Sequence, residues 1–323
     1  MSPPGMSEPR RGLVLGAGGV LGASWTIGAL AAIEAEIGWD PRTAEVIVGT
    51  SAGSVLAAFL GNDIGVSSLI NHQRGIVVPG DPVIDYDYGS SPLPPMPRLR
   101  FGSPALLLKA ARHPRSMTPL AAVSSVLPLG RGSLTALGEL VSAVAEPDAW
   151  AAHPATWVVA TDYATGRRVV FGREGAPRAS LVEAVMASCA IPGWYTPVLI
   201  DGRRYIDGGA CSVTSLDLVA DLGLDEVFVL SPMTSTDFDR PTTAIARLER
   251  YFRRVVTRRL IREAAKVRRS GTDVVVIHPG RHDLEAIGAN LMDPRRREVV
   301  LDTSLETSAQ SLHAQYGRLR RAG

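Results

Sequence analysis

The stretch Val46-Ile-Val-Gly-Thr-Ser-Ala-Gly-Ser54 decides the fold. Val46, Ile47 and Val48 favour a strand, and residues 54–60 form an apolar, Ala-rich run that reads as helix. Between them lies Gly49-Thr50-Ser51-Ala52-Gly53, the G-x-S-x-G pattern of a nucleophile elbow. A tight strand-to-helix turn crowds the residues two before and two after the serine. A side chain at either place would clash, so Gly49 and Gly53 carry the turn. Ser51 is then expected at a helix N-terminus, where unpaired N–H groups and the helix dipole favour developing negative charge.

Upstream, Leu13-Val-Leu15 reads as a first strand and Gly16-Ala-Gly-Gly-Val-Leu-Gly22 as a glycine loop. Residues 23–37 read as a helix ended by Gly38, with Pro41 just beyond. Strand, helix, strand, helix at this spacing predicts an α/β fold: three layers, with a mainly parallel central sheet and helices on both faces. The glycine loop has two uses. As a dinucleotide fingerprint it would need an acidic residue closing the second strand, and Gly49-Thr50-Ser51 stands there instead. As an oxyanion hole it would offer the N–H groups of Gly18 and Gly19 beside Ser51.

Bulk properties agree with an ordinary globular domain. Of 323 residues, 46% are hydrophobic and 20% charged, enough apolar material for a full core. The net charge of +2 gives no electrostatic argument for nucleic acid. Cys189 and Cys211 are too few for a disulfide framework, have no metal-site spacing, and suit a reducing compartment. Residues 1–11 read as a disordered lead-in without the apolar centre of a signal peptide. Residues 12–33 carry no charge and could span a bilayer by length, but their six glycines fit a strand, loop and buried helix better. The expectation is one domain over residues 12–323, cytoplasmic, with no transmembrane helix.

Downstream, residues 64–131 are Pro-rich (79, 82, 92, 94, 95 and 97), carry Tyr86 and Tyr88, and then turn apolar. They read as a lid-like insertion over the active-site face. Strands are expected at 157–161, 168–171, 197–200, 224–230 and 273–277, with helices at 133–145, 180–187 and 242–269. Tyr205-Ile206-Asp207-Gly208-Gly209 places a carboxylate at a strand end, where two glycines permit close backbone approach. Residues 247–269 hold ten basic side chains against Glu249 and Glu263. They read as the solvated face of a helix packed through Leu248, Phe252, Val255 and Leu260. Peripheral contact with an anionic membrane is the competing reading.

Ser51 needs a base. A triad with Asp207 and His278 is one possibility, and direct proton transfer to a carboxylate is the other. His278 and His282 are spaced like metal ligands, but Pro279-Gly280 breaks the helix that would align them. The glycine loop, GTSAG, the segment Ala187-Ser-Cys-Ala-Ile-Pro-Gly-Trp-Tyr195, IDGG ending at Gly209, and Asn290-Leu-Met-Asp293 occur in order. Together they resemble the patatin-like phospholipase family. The resemblance implies a Ser–Asp lipid acyl hydrolase without metal or other cofactor, whose substrate is a lipid or other acyl ester. Ser51 would be nucleophile, Asp207 base, and Gly18 and Gly19 oxyanion donors, with Gly49, Gly53, Gly208 and Gly209 supporting the two turns. The family loop is commonly G-G-G-x-R-G. Here Ala17 replaces the first glycine and Leu21 the arginine, so no side chain at 21 can pair with an anionic headgroup, and a neutral acyl ester gains weight. A lipid-binding scaffold without turnover is the alternative of a different class.

Overall fold

The computed structural model describes residues 8–79, 81, 102–112, 117–146, 148–236 and 244–322. Five strands run parallel: β1 (Arg11–Leu15) between β2 (Val46–Thr50) and β7 (Glu226–Leu230), with β3 (Thr156–Asp162) beyond β2 and β8 (Asp273–Ile277) beyond β7. Three more strands are antiparallel: β4 (Arg168–Phe171) and β6 (Arg203–Asp207) on β3, and β5 (Val198–Ile200) on β6. This is the mainly parallel α/β sheet the sequence predicts.

The registers on β3 position the site. Val158 and Val159 pair with both β2 and β4, whereas Ala160 and Thr161 pair with both β4 and β6. A strand has only two edges, so β4 occupies one, and β2 and β6 share the other end to end. Thr50 lies opposite Val159, and Asp207 lies opposite Ala160. Two strands running toward each other therefore finish at adjacent positions on β3, and Ser51 is the residue after Thr50.

Strand alternation divides the core into two layers. Leu13, Leu15 and Ile47 face a large cluster built with α1 (Gly19–Ile37), α2 (Ala52–Leu60), α3 (Val66–Gln73), α6 (Thr135–Ser142), α7 (Leu181–Ser188) and α10 (Arg297–Ala322). Val14, Val46 and Val48 face the opposite layer, where Leu260, Ala264 and Val267 of α8 (Ala244–Arg269) pack with the 3-10 turn Leu216–Val219. α1 is long and apolar enough to cross a membrane, yet eleven of its nineteen residues are buried, and it packs against α10, α3 and α2.

Three boundaries differ from the sequence reading. α1 starts at Gly19 and not at 23, so the glycine loop shrinks to Gly16, Ala17 and Gly18. Residues before Gly12 take part in the fold: Arg11 opens β1, the Arg10 N–H donates to Asp225, and the Arg10 guanidinium pairs with Glu45. Residues 1–7 lie outside the described residues. α3 packs on α1 and α10, so residues 66–73 belong to the body and not to the stretch expected as an insertion. The stretch beyond includes α4 (Pro104–Arg112), whose Leu106 joins a small core with Tyr163, Ile206 and Ala210, and α5 (Pro119–Val126), which packs on α4. Pro82 to Pro97, with Tyr86 and Tyr88, lie outside the described residues.

Candidate active site

The elbow is formed as its glycines require. Ser51 adopts φ 54° and ψ −124°, a region costly for a residue with a side chain. A Cβ at Gly49 would stand 2.5 Å from the Gly53 carbonyl oxygen, and one at Gly53 would stand 2.1 Å from that of Leu15. The strain is held by bonds on both sides of Ser51. Its N–H donates to Ser188 Oγ at 2.8 Å, and its carbonyl accepts from Ser54 Oγ at 2.6 Å. All nine residues of α2 are buried, so this helix cannot shift without opening the core.

Asp207 ends β6 and meets Ser51 across the junction on β3. The Ser51 hydroxyl lies close enough to the Asp207 carboxylate to pull its pKa down, and both side chains are buried. Gly209 N–H donates to Asp207 Oδ1 at 2.7 Å, and the Asp207 N–H donates to the Ala190 carbonyl at 2.9 Å. Burial pushes the carboxyl up to about 6, with Ser51 and Gly209 pulling the other way. A carboxylate with that value accepts a proton near neutrality more readily than an exposed one.

The glycine loop completes the cluster. Gly16 N–H donates to Leu230 O and Ala17 N–H to Val213 O, both at 2.8 Å. The N–H groups of Gly18 and Gly19 have no acceptor among the described residues. A Cβ at Gly209 would lie 3.7 Å from Ala17 Cβ, so the loop stands beside the Asp207 turn. The arrangement can do nucleophilic chemistry: a hydroxyl on a helix N-terminus, a buried proton acceptor beside it, and unspent backbone donors close by.

A model of the patatin-like phospholipase family matches residues 13–220. The chain belongs to this family. Among solved structures, VipD from Legionella pneumophila aligns over 95% of this chain and 67% of its own, at 14% identity and a TM-score of 0.45. The type III effector protein ExoU aligns over 95% of this chain and 53% of its own, at 16% identity and a TM-score of 0.39.

Within this patatin-like chain, Leu21 differs from the sequence reading, and His278 and His282 stand outside the cluster. Leu21 does not face the site: its side chain is fully buried in the main core, and its N–H donates to Leu291 O at 3.0 Å. It cannot act as a filter for headgroups. His278 lies apart from the cluster, with Nε2 3.1 Å from Thr236 Oγ1 and Nδ1 3.2 Å from the Pro279 carbonyl oxygen. His282 is exposed on α9 (Arg281–Ile287) beside Glu285. Among the described residues no cluster could hold a metal ion.

Several contributors gave no sequence signal, because each comes from far along the chain. Pro232 packs on the glycine loop, where a Cβ at Gly18 would stand 2.5 Å from its Cγ. Arg253 of α8, itself buried, donates to the Pro232 carbonyl at 2.8 Å. Buried Glu263 of the same helix accepts from Ser212 Oγ, Thr214 Oγ1, the Leu216 N–H and Arg259, fastening the loop that holds Ala17. So α8 is not simply a solvated face: two of its charges are structural ties to the site. The segments around Thr118 and Gly132 are also tied there. Thr118 Oγ1 donates to Ala210 O at 2.6 Å, and Gly132 N–H donates to Trp194 O at 2.9 Å. Cys189 Sγ lies 3.8 Å from Ser54 Oγ, and burial together with the Asp207 charge raises its thiol well above the usual range, so it stays protonated. Both cysteines are free.

Proposed function

We propose that the chain is a serine acyl hydrolase that cleaves lipid ester bonds through a Ser51–Asp207 dyad. One observation carries this reading: Ser51, strained at φ 54°, has its hydroxyl beside a carboxylate that burial lifts to about 6, while His278 is held elsewhere by Thr236. Ser51 Oγ attacks the ester carbonyl while Asp207 takes its proton. The Gly18 and Gly19 N–H groups stabilise the tetrahedral oxyanion, and the helix N-terminus at Ser51 adds to that field. Asp207 returns the proton to the leaving alcohol. It then activates the water that releases the acid from the acyl-enzyme. Asp207 must be ionised to begin, so kcat/KM falls below about pH 6.

A lipid substrate also suits the surroundings. Leu107 and Leu108 of α4 and Val123 and Val126 of α5 are exposed on the insertion tied to the Asp207 turn. On the opposite layer, α8 exposes Arg258, Arg262 and Arg269 with Tyr251 and Ile261, a combination suited to peripheral contact with an anionic membrane. The free thiols suit a cytoplasmic setting. The buried Leu21 leaves headgroup choice to other residues.

Hydrolysis of a short-chain aryl ester and labelling by a fluorophosphonate test the assignment. Ser51→Ala should abolish labelling and lower kcat/KM by at least ~10³-fold. His278→Ala should stay near wild type. Retained turnover in the Ser51 variant would sink the dyad, and a severe loss in the His278 variant would favour a triad.

A further inference from the structure

Ser188 is the last residue of α7 and is fully buried. Its hydroxyl accepts the Ser51 N–H at 2.8 Å and donates to the Val159 carbonyl at 2.6 Å. The meaning of these two bonds lies in the sheet. In a parallel ladder, alternate residues of one strand bond to the same neighbour. The Ile47 N–H donates to the Ala155 carbonyl. Advancing two residues at a time along the β2–β3 register gives Gly49 to Trp157, and then Ser51 to Val159. That third rung is not made directly. Ser51 has left the strand for its positive φ, and the hydroxyl of Ser188 bridges the gap.

We infer that Ser188 is a positioning residue for the nucleophile: its hydroxyl replaces the last rung between β2 and β3 and fixes the Ser51 backbone where β2 and β6 meet. The inference rests on the dyad reading above. Two consequences follow from the geometry. The Ser51 N–H is spent on Ser188, so it is withdrawn from the anion site and the donors must come from elsewhere, as the free N–H groups of Gly18 and Gly19 do. Without the hydroxyl, the Ser51 N–H and Val159 carbonyl either close into a direct rung, flattening the elbow, or stay unpaired in the interior. Both outcomes move Ser51 Oγ away from Asp207. The substrate's other contacts are untouched, so the loss falls on kcat and not on KM. Ser188 lies in the Ala187-to-Tyr195 segment, whose remaining contacts put Ala190 O on the Asp207 N–H. One short segment thus holds the backbones of both dyad members.

The test compares the full chain with Ser188→Ala, Ser188→Cys and Ser51→Ala, using aryl ester kinetics and fluorophosphonate labelling across pH. Ser188→Ala should lower kcat and the labelling rate by ~10–100-fold, the usual effect of a small misplacement of a reacting group. KM should stay within about threefold. The acid limb of kcat/KM should move to higher pH than in the wild type, because the Ser51 hydroxyl that helps keep Asp207 ionised moves away from it. A thiol bonds more weakly than a hydroxyl, so Ser188→Cys should fall between the two. A role confined to folding would lower the melting temperature and leave the labelling rate and acid limb of the folded protein in place. That result in Ser188→Ala overturns the inference. If Ser188→Ala does not fold, wild-type rate and acid limb in Ser188→Cys overturn it equally. Activity surviving Ser51→Ala would overturn the dyad itself. A dead Ser51→Ala beside an unaffected Ser188→Ala would remove only the positioning role.

Discussion

The elbow and the glycine loop both use glycine to bring backbone close to the reacting serine, but they are held in different ways. At Gly49 and Gly53 the atoms that exclude a Cβ are backbone of the same β1–β2–α2 unit: Gly53 O, Ser54 Cα and Leu15 O. At Gly18 the nearest obstacle is the ring of Pro232, and at Gly19 it is Leu291 O and the Met292 sulfur. The elbow glycines are therefore locked within one unit, and it is the Ser51 backbone that Ser188 ties from outside. The loop is clamped from outside, by Pro232 on the Arg253 tie and by the segment around Leu291. A nucleophile needs a fixed angle to its base, whereas an anion hole needs its donors held within bonding range of a developing charge. The elbow glycines are excluded from a Cβ locally, whereas the loop glycines are hemmed in chiefly by distant segments.

The largest effect should come from Gly53→Ala. Its Cβ would have to displace the Leu15 carbonyl in the central strand, so the expected cost is ~3 kcal/mol or more, read as loss of soluble, cooperatively melting protein. Gly18→Ala meets a proline ring, besides the Gly22 backbone, and should fold while losing activity. Adding Pro232→Ala should restore part of that activity. A well-folded, active Gly53→Ala, or a Gly18→Ala that Pro232→Ala does not improve, would break the contrast.

Asp207 sharpens the comparison through stability. Its carboxyl titrates at about 6 in the folded protein, above the ordinary carboxylate value. The fold thus prefers the protonated form. That preference stabilises fully below the unfolded value and is lost as pH rises through about 6. Asp207→Asn should accordingly raise the melting temperature near pH 8, by at most ~3 kcal/mol in stability, and change it little near pH 4. The same variant should be nearly inactive. Equal melting shifts at both pH values would show that the buried charge is not what strains the site.

The smallest effect concerns the outer face of α8. Arg258→Glu with Arg262→Glu should weaken sedimentation with phosphatidylserine vesicles about tenfold or more at low salt, at ~1 kcal/mol per basic residue. Hydrolysis of a water-soluble ester should be unchanged, since Arg253 and Glu263 remain in place. Unchanged vesicle binding would remove the membrane reading from α8. A loss of soluble-ester activity would mean that the exposed face supports the loop as the buried face does.

Much of the fold was legible because its signals are local. Val46 to Val48, Leu13 to Leu15 and residues 273–277 are short apolar runs bounded by glycine or polar residues, and each became a buried strand. The elbow was legible because close packing permits only glycine at its two flanks. The insertion was less so: α3 reads like the start of an irregular excursion, and only its contacts with α1 and α10 assign it to the body. The charge run on α8 was misread in part for the same reason. Nothing in residues 247–269 distinguishes Arg253 and Glu263, which turn inward, from their exposed neighbours.

The sequence by itself determined that Ser51 sits on a strained strand-to-helix turn, that Asp207 closes a strand before two glycines, and that the sheet is mainly parallel. Those features depend on steric rules acting within a few residues. Only the tertiary structure decided that β2 and β6 share one edge of β3, which brings Ser51 to Asp207. The same holds for Ser188 in the vacant rung, for Leu21 turned into the core, and for His278 held by Thr236. These are contacts between segments distant in the chain. Their geometry is fixed by strand register and helix packing, which no single stretch of sequence contains.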